Sequence, residues 1–97
     1  MNVISKPELM QACKRHPEVM ARVEEWFKIS KRSEWKFFEE VKRTFPDVDR
    51  VGHVLIFDLN DGFRLITRVS FRTKRIYFKA ILNHKEYMRK EWMKWSS

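Results

Sequence analysis

The segment from residue 51 to residue 82, VGHVLIFDLNDGFRLITRVSFRTKRIYFKAIL, decides the fold. It contains three apolar and β-branched runs separated by two turn-forming stretches, a pattern that predicts three antiparallel strands joined as a meander. Val51 to Leu59 is apolar at both alternating sets of positions and is predicted to be an interior strand. Asn60-Asp61-Gly62 is a strong turn signal. Phe63 to Phe71 and Ile76 to Leu82 are the second and third strands.

The chain before this segment is predicted to be largely helical. Asn2 to Ile4 is short and fits an edge strand. Ser5-Lys6-Pro7-Glu8 has the pattern of a helix start, with serine at the cap and glutamate three residues on. Helical spacing then continues in a second helix after Pro17 and in a third that ends before Pro46.

The chain after the meander, from His84 to Trp95, fits one helix. The tryptophans occur at helical spacing, which favours core positions over stacking on nucleic-acid bases. The element order is therefore strand, three helices, three strands and helix. This order predicts an α+β fold in one domain, residues 1–97, whose N-terminal helices pack on one face of a mainly antiparallel sheet, with a short helix at the C-terminus.

Basic residues are concentrated in the C-terminal third. The protein has 97 residues and a net charge of +8. Residues 1–61 contain 11 basic and 11 acidic side chains, whereas residues 62–97 contain 10 basic and 2 acidic ones. The last third therefore carries the whole excess of positive charge. Such segregation predicts a polyanionic partner, such as nucleic acid, for this part of the chain.

Composition and spacing exclude several other classes of protein. Cys13 is the only cysteine, so no internal disulfide can form. No apolar run approaches the ~20 residues that cross a bilayer, and we expect a cytoplasmic protein that does not contact membranes. The histidines lack the spacing of zinc ligands. Only Glu86 and Glu91 are acidic in the last third, where a two-metal nuclease would need clustered carboxylates. We expect neither a metal nor a cofactor.

Strand alternation gathers cations on the sheet face that points away from the helices. Phe63, Leu65 and Val69 would face the helices, so Arg64 and Arg68 face the other way. If the turn after the second strand is centred on residues 73–74, Lys79 lies opposite Arg68, about 5 Å away at Cβ. Cations held so close repel one another, and a phosphate group relieves that repulsion. The pattern predicts a phosphate-binding face.

Two further groups suited to proton transfer reach this face from the start of the last helix. His84 and Tyr87 are three residues apart and project the same way. Metal-independent RNA cleavage needs a base for the 2′-hydroxyl, cations for the phosphate and an acid for the leaving 5′-oxygen. The predicted catalytic set is Arg64, Arg68, Lys79, His84 and Tyr87.

Three stretches of the chain resemble the HigB-type toxins of bacterial type II toxin–antitoxin modules. They are FPDVDRVG at residues 45–52, RLITRV at 64–69 and NHKEY at 83–87, supported by Trp35-Lys36. Asn83 stands where these toxins usually have threonine, and Met88 where they usually have aspartate. Neither departure replaces a proposed catalytic group.

The resemblance implies a RelE-like fold and an mRNA endoribonuclease that cuts message in the decoding region of the 30S ribosomal subunit. It further implies a HigA-type helix-turn-helix antitoxin, through which the complex would contact DNA. The five residues above are then the expected working residues, in which Arg68 and Lys79 hold the phosphate and Arg64 orients the backbone. His84 would transfer protons, and Tyr87 would position the nucleophile or stack on a base. Salt-sensitive contacts to ribosomal RNA would come from Arg72, Lys74, Lys85 and Arg89.

Two other functions stay open at this point. One is a non-catalytic RNA- or ribosome-binding factor that uses the same basic face without proton transfer. The other is a toxin of the same fold that acts on DNA gyrase.

Overall fold

Five strands form one sheet in the computed structural model, which describes residues 1–97. Their order across the sheet is β1–β5–β4–β3–β2. The strands are β1 (Asn2–Ile4), β2 (Asp49–Val51), β3 (Val54–Asp58), β4 (Arg64–Ser70) and β5 (Arg75–Leu82). Only β1 and β5 pair in parallel; every other pair is antiparallel. The predicted meander is confirmed, with β4 at the centre of the sheet.

The three N-terminal helices pack on one face of this sheet. They are α1 (Lys6–Arg15), α2 (Met20–Arg32) and α3 (Phe38–Thr44), and a 3₁₀ turn at Pro17–Val19 joins the first two. Between helices and sheet lies a core of 17 buried residues, to which Leu9 and Trp26 contribute from the helices and Leu65 and Ile76 from the strands. The α+β arrangement predicted above is confirmed. None of the helices combines the length and apolar character that crossing a bilayer requires.

Two local predictions before β4 are wrong in detail. The stretch from Val51 to Leu59 is not one strand, because the chain reverses at Gly52-His53 and pairs β2 with β3. Gly52 has a φ of +58°, a conformation that suits glycine, and it permits this turn. Ser5 precedes α1 as predicted, but it is left-handed with a φ of 71° and its side chain makes no capping hydrogen bond.

The C-terminal segment also differs from its prediction, and the difference shapes the outer face, by which we mean the sheet face away from α1–α3. The helix predicted from His84 to Trp95 stops early: α4 spans His84–Met88 only. Lys90 then takes a left-handed conformation with a φ of 61°, and a 3₁₀ helix follows at Glu91–Trp95. This break redirects the chain across the outer face.

Trp92 anchors the redirected segment. Its side chain is 5% exposed and packs with Val54, Ile56 and Ile66 in a second apolar cluster on the outer face. Trp26, Trp35 and Trp92 are buried, as their spacing predicted, whereas Trp95 is only half-buried against this cluster. Side-chain alternation alone suggested that the outer face is fully open to solvent. Instead, the end of the chain covers part of it.

The β2–β3 turn holds the segment in place from the other side. The backbone N–H of His53 donates to the carbonyl of Ser96 at 3.0 Å. A Cβ atom on Gly52 would overlap the same Ser96 carbonyl. The turn and the C-terminal segment are therefore in direct backbone contact, and this contact requires glycine at residue 52.

We expect Gly52→Ala to release the C-terminal segment. The substitution adds left-handed strain of about 1–2 kcal/mol and a clash with Ser96, so the free energy of unfolding should fall by more than the strain alone. Urea denaturation measures this loss, and proteolysis measures release of residues 91–97. Gly62→Ala is the matched control, since Gly62 also has a positive φ of 77° but an added Cβ would lie 3.6 Å from its nearest neighbour. Equal losses in the two variants would contradict the contact.

Candidate active site on the outer face

The pairing of β4 with β5 differs from the register predicted for it. The turn occupies residues 71–74, so Arg68 lies opposite Tyr77 and Ser70 opposite Arg75. The predicted partner of Arg68, Lys79, falls at a bulge: Thr67 pairs with Phe78 and Ile66 with Ala80, leaving Lys79 without a partner. The prediction placed the centre of the turn one residue too late, which moved the pairs between the turn and the bulge by two positions and those beyond the bulge by one. Lys79 is exposed.

Arg64 is held in one orientation at the edge of the outer face. Its Nε lies 3.0 Å from Asp58 Oδ1 in an ion pair. Its Nη1 donates to the carbonyls of Gly62 at 3.0 Å and Phe63 at 3.3 Å. Its Cζ lies 5.2 Å from the centre of the Tyr87 ring. With Nε and Nη1 engaged, Nη2 has no protein partner and can donate to a bound anion.

Asp58 is a member of this corner that the sequence prediction missed, although a signal for it is present. The turn at Asn60–Gly62 is centred on Asp61, and this centre pairs Asp58 with Arg64, as the structure shows. Residues at equal distances from the centre of a turn pair with each other. This rule, used above to predict pairs between β4 and β5, also predicts the pair Asp58–Arg64. Asp58 keeps the guanidinium in place but also competes with a phosphate for its charge.

Helix α4 brings His84 to the same corner. Asn83 caps the helix, because its side chain accepts from the Glu86 N–H at 2.8 Å while the Glu86 carboxylate accepts from the Asn83 N–H at 3.1 Å. Asparagine thus fills the position where the resembling toxins have threonine, and it keeps the cap. His84 is exposed, and a Cβ atom added to Gly62 would lie 3.6 Å from the His84 Cβ. Since the Gly62 carbonyl also binds Arg64, both side chains flank one glycine.

Tyr87 joins this corner to the C-terminal segment. Its ring stacks on Trp92 with centroids 5.4 Å apart and an interplanar angle of 1°. The Trp92 indole N–H donates to the Tyr87 carbonyl at 3.0 Å. Burial raises the pKa of the Tyr87 hydroxyl above 10.0 and is the largest effect. The negative charges of Asp49 and Asp58 raise this pKa further, while the positive charge of Arg64 lowers it. The phenol is therefore protonated at neutral pH and acts as a hydrogen-bond donor.

Arg68 lies at the other end of β4, apart from this corner. Its Nη1 donates to the main-chain oxygens of Trp95 at 2.9 Å and Ser97 at 2.6 Å. The structure thus brings Arg64, His84 and Tyr87 together, and it places Arg68 beside Tyr77 and the C-terminal segment. The four residues expected to contact RNA are all exposed at the surface: Arg72, Lys74, Lys85 and Arg89. No three His, Cys, Asp or Glu side chains are grouped closely enough to hold a metal ion.

We expect the phenol of Tyr87 to ionise only above pH 10.0. Because the folded state holds this proton more tightly than the unfolded chain, the part of the unfolding free energy that Tyr87 contributes should fall as the pH rises beyond that value. Phenolate absorbance in the wild type and in Tyr87→Phe isolates the titration of this one tyrosine. A component assigned to Tyr87 that titrates below pH 10 would contradict the burial argument.

Two comparisons with known proteins agree with each other. The sequence profile of the HigB toxin family, described as the RelE-like toxic component of a toxin–antitoxin system, matches residues 20–90. The mRNA interferase HigB of Escherichia coli O6:H1 (strain CFT073) is 25% identical over 91 residues, which cover 90% of this chain and 88% of that relative. The profile match includes the whole corner formed by Arg64, His84 and Tyr87. This chain therefore belongs to the HigB toxin family, the RelE-like toxic components of toxin–antitoxin systems.

Proposed function

We propose that this toxin is an mRNA endoribonuclease that cuts message on the ribosome by a metal-independent reaction. The observation that carries the proposal is the corner of the outer face where the Arg64 guanidinium lies over the Tyr87 ring beside His84. A fixed cation, a protonated phenol and an imidazole are the groups that such a reaction uses. The relative described above is named an mRNA interferase, which supports the same activity.

The reaction needs no group beyond the RNA and these side chains. A base removes the proton of a 2′-hydroxyl, whose oxygen attacks the adjacent phosphorus. The bond from phosphorus to the 5′-oxygen breaks, and an acid returns a proton to that oxygen. The products are a 2′,3′-cyclic phosphate and a free 5′-hydroxyl. Negative charge accumulates on the phosphate in the transition state, where preorganised donors have their largest effect.

Each side chain in the corner has a role that fits its environment. His84 is exposed, which leaves its ring free to exchange protons with substrate, and we assign it proton transfer. Arg64 is oriented by Asp58 and two carbonyls, so its free Nη2 can bind the phosphate with little loss of side-chain entropy. The Tyr87 ring already stacks on Trp92 and lies beside Arg64, so we assign its hydroxyl, rather than its ring, to the substrate.

Arg68 and Lys79 belong to the binding part of the site in this proposal. Arg68 keeps Nε and Nη2 available after its two bonds to the C-terminal segment. Lys79 is exposed at the bulge. Arg68 and Lys79 contact the RNA backbone on the two sides of the cut. The surface cations dock on RNA of the 30S decoding region; they are Arg72, Lys74, Lys85 and Arg89.

A protein antitoxin of the HigA type, with a helix-turn-helix domain, is the proposed partner that neutralises the toxin. Membership of a toxin–antitoxin family supports this pairing. In this scheme the toxin reaches DNA only through the antitoxin.

We expect His84→Ala to lower cleavage of translated message by about 10²–10⁴-fold, the usual effect of removing a proton-transfer group. The fold should be unaffected because His84 is exposed. Mapping of 5′ ends on translated and untranslated transcripts measures the activity and its dependence on the ribosome. His16→Ala is the control, since His16 packs against Phe63 near the helices instead.

Other outcomes would identify the alternatives. Wild-type cleavage by both His84→Ala and Arg64→Ala would end the assignment of the corner. Ribosome binding without new 5′ ends would indicate a binding factor, and growth arrest with intact message would indicate a target such as DNA gyrase.

A further inference from the structure

We propose that a second site on the outer face, at the far end of β4 from Arg64, binds a phosphate of the RNA strand next to the nucleotide that is cut. This inference rests on the proposed ribonuclease function and adds a subsite to it. The site is a shallow cavity of about 310 Å³. We call it the arginine pocket; its polar lining consists of Arg50, His53, Arg68, Ser70, Arg72 and Tyr77.

No acidic side chain balances the positive charge of the arginine pocket. Three guanidinium groups line it, and no aspartate or glutamate does. The ion pair between Arg64 and Asp58 lies elsewhere, at the other end of β4. Three cations around one small cavity repel one another, and an anion bound among them removes the repulsion.

The donors in the pocket are only partly used by the protein. Arg50 donates its Nε to the Gly52 carbonyl at 3.0 Å, and its Cζ lies 5.9 Å from the Phe38 ring. Arg68 uses Nη1 for the C-terminal segment. Arg72 lies in the β4–β5 turn and also lines the cavity. Several guanidinium N–H groups therefore remain for phosphate oxygens, which accept them in pairs.

The other lining residues favour a nucleotide over a simple anion. Tyr77 lies opposite Arg68 in the sheet and places an aromatic ring beside the cations. Phe71 touches the cavity too, but its side chain packs against the main core, so Tyr77 is the aromatic ring available to a base. Aromatic rings next to cations are the combination by which proteins hold single-stranded nucleic acid, with stacking on bases and charge on the backbone. His53 is exposed at the β2–β3 turn and adds an imidazole at the rim.

The position of the pocket sets its place along the RNA. Arg64 and Arg68 are four residues apart on the same face of β4, so the corner and the pocket are separated by about 13 Å along the strand. That distance is longer than one nucleotide step, so the pocket holds a flanking nucleotide and not the scissile phosphate. It should therefore raise affinity without acting on the reacting atoms.

The test is binding of a single-stranded oligonucleotide whose riboses are all 2′-O-methylated, so that it cannot be cut. We expect the variant R50Q to bind it about tenfold more weakly, with the magnitude of the slope of log K against log salt reduced by about 0.7 for the one phosphate that the variant no longer neutralises. The control is R15Q, which removes the same charge from an exposed arginine at the end of α1. Fluorescence anisotropy gives the affinities, and thermal unfolding confirms that both variants fold.

A cleavage assay on unmodified message separates this proposal from the ribonuclease assignment. We expect R50Q to raise KM and leave kcat near the wild-type value, because the pocket lies away from the reacting atoms. If wild type cuts RNA but R50Q binds the oligonucleotide like its control, the pocket proposal is wrong and the function stands. If no RNA is cut but the pocket variant still binds the oligonucleotide more weakly, the function is wrong and the pocket stands. Weaker binding to poly-glutamate alone, with oligonucleotide binding intact, would assign the pocket to an acidic protein and overturn the proposal.

Discussion

The packing of Trp92 on the outer face of the sheet is the contact on which the arrangement of the candidate site depends. Trp92 fills a patch made by Val54, Ile56 and Ile66, and burying a side chain of this size stabilises the segment by several kcal/mol at most. Its ring stacks on Tyr87, and its N–H binds the Tyr87 carbonyl. Tyr87 in turn lies beneath Arg64. The position of the proposed catalytic corner therefore follows from where one tryptophan packs.

The same contact explains how a strongly basic face can be part of a stable fold. The end of the chain crosses that face between its two clusters of cations and offers carbonyl oxygens to Arg68, while Asp58 balances Arg64. Cations are thus fixed in position while part of each guanidinium stays free for an external anion. A site arranged in this way is preorganised, because folding has already brought the charges close together before the anion binds.

The helices and strands of this fold are largely predictable from residue patterns. For the candidate site, the sequence predicts which residues belong to it better than it predicts their positions relative to one another. The meander follows from its two turns, and the identity of Arg64, His84 and Tyr87 as neighbours follows from side-chain alternation and helix spacing.

The position of Lys79 could not be predicted, because a bulge in the middle of a strand carries no strong local signal. The break at Lys90 is also hidden, since the apolar stripe from Met88 to Trp95 fits a continuous helix; tertiary packing of Trp92 decides the outcome. Arg50 and His53 were not predicted as site residues, because the apolar run after Val51 hides the β2–β3 turn that brings them to the outer face.

Native-state hydrogen exchange in Trp92→Ala tests this account most directly. The account predicts that the amide protons of Tyr87 and Arg89, which bond within α4, lose protection, while those in the β3–β4 ladder keep theirs. It also predicts that cleavage falls together with that protection, because Tyr87 and Arg64 lose their common position. Unchanged protection of α4, or full cleavage by a protein whose α4 exchanges freely, would contradict the claim that this tryptophan positions the site.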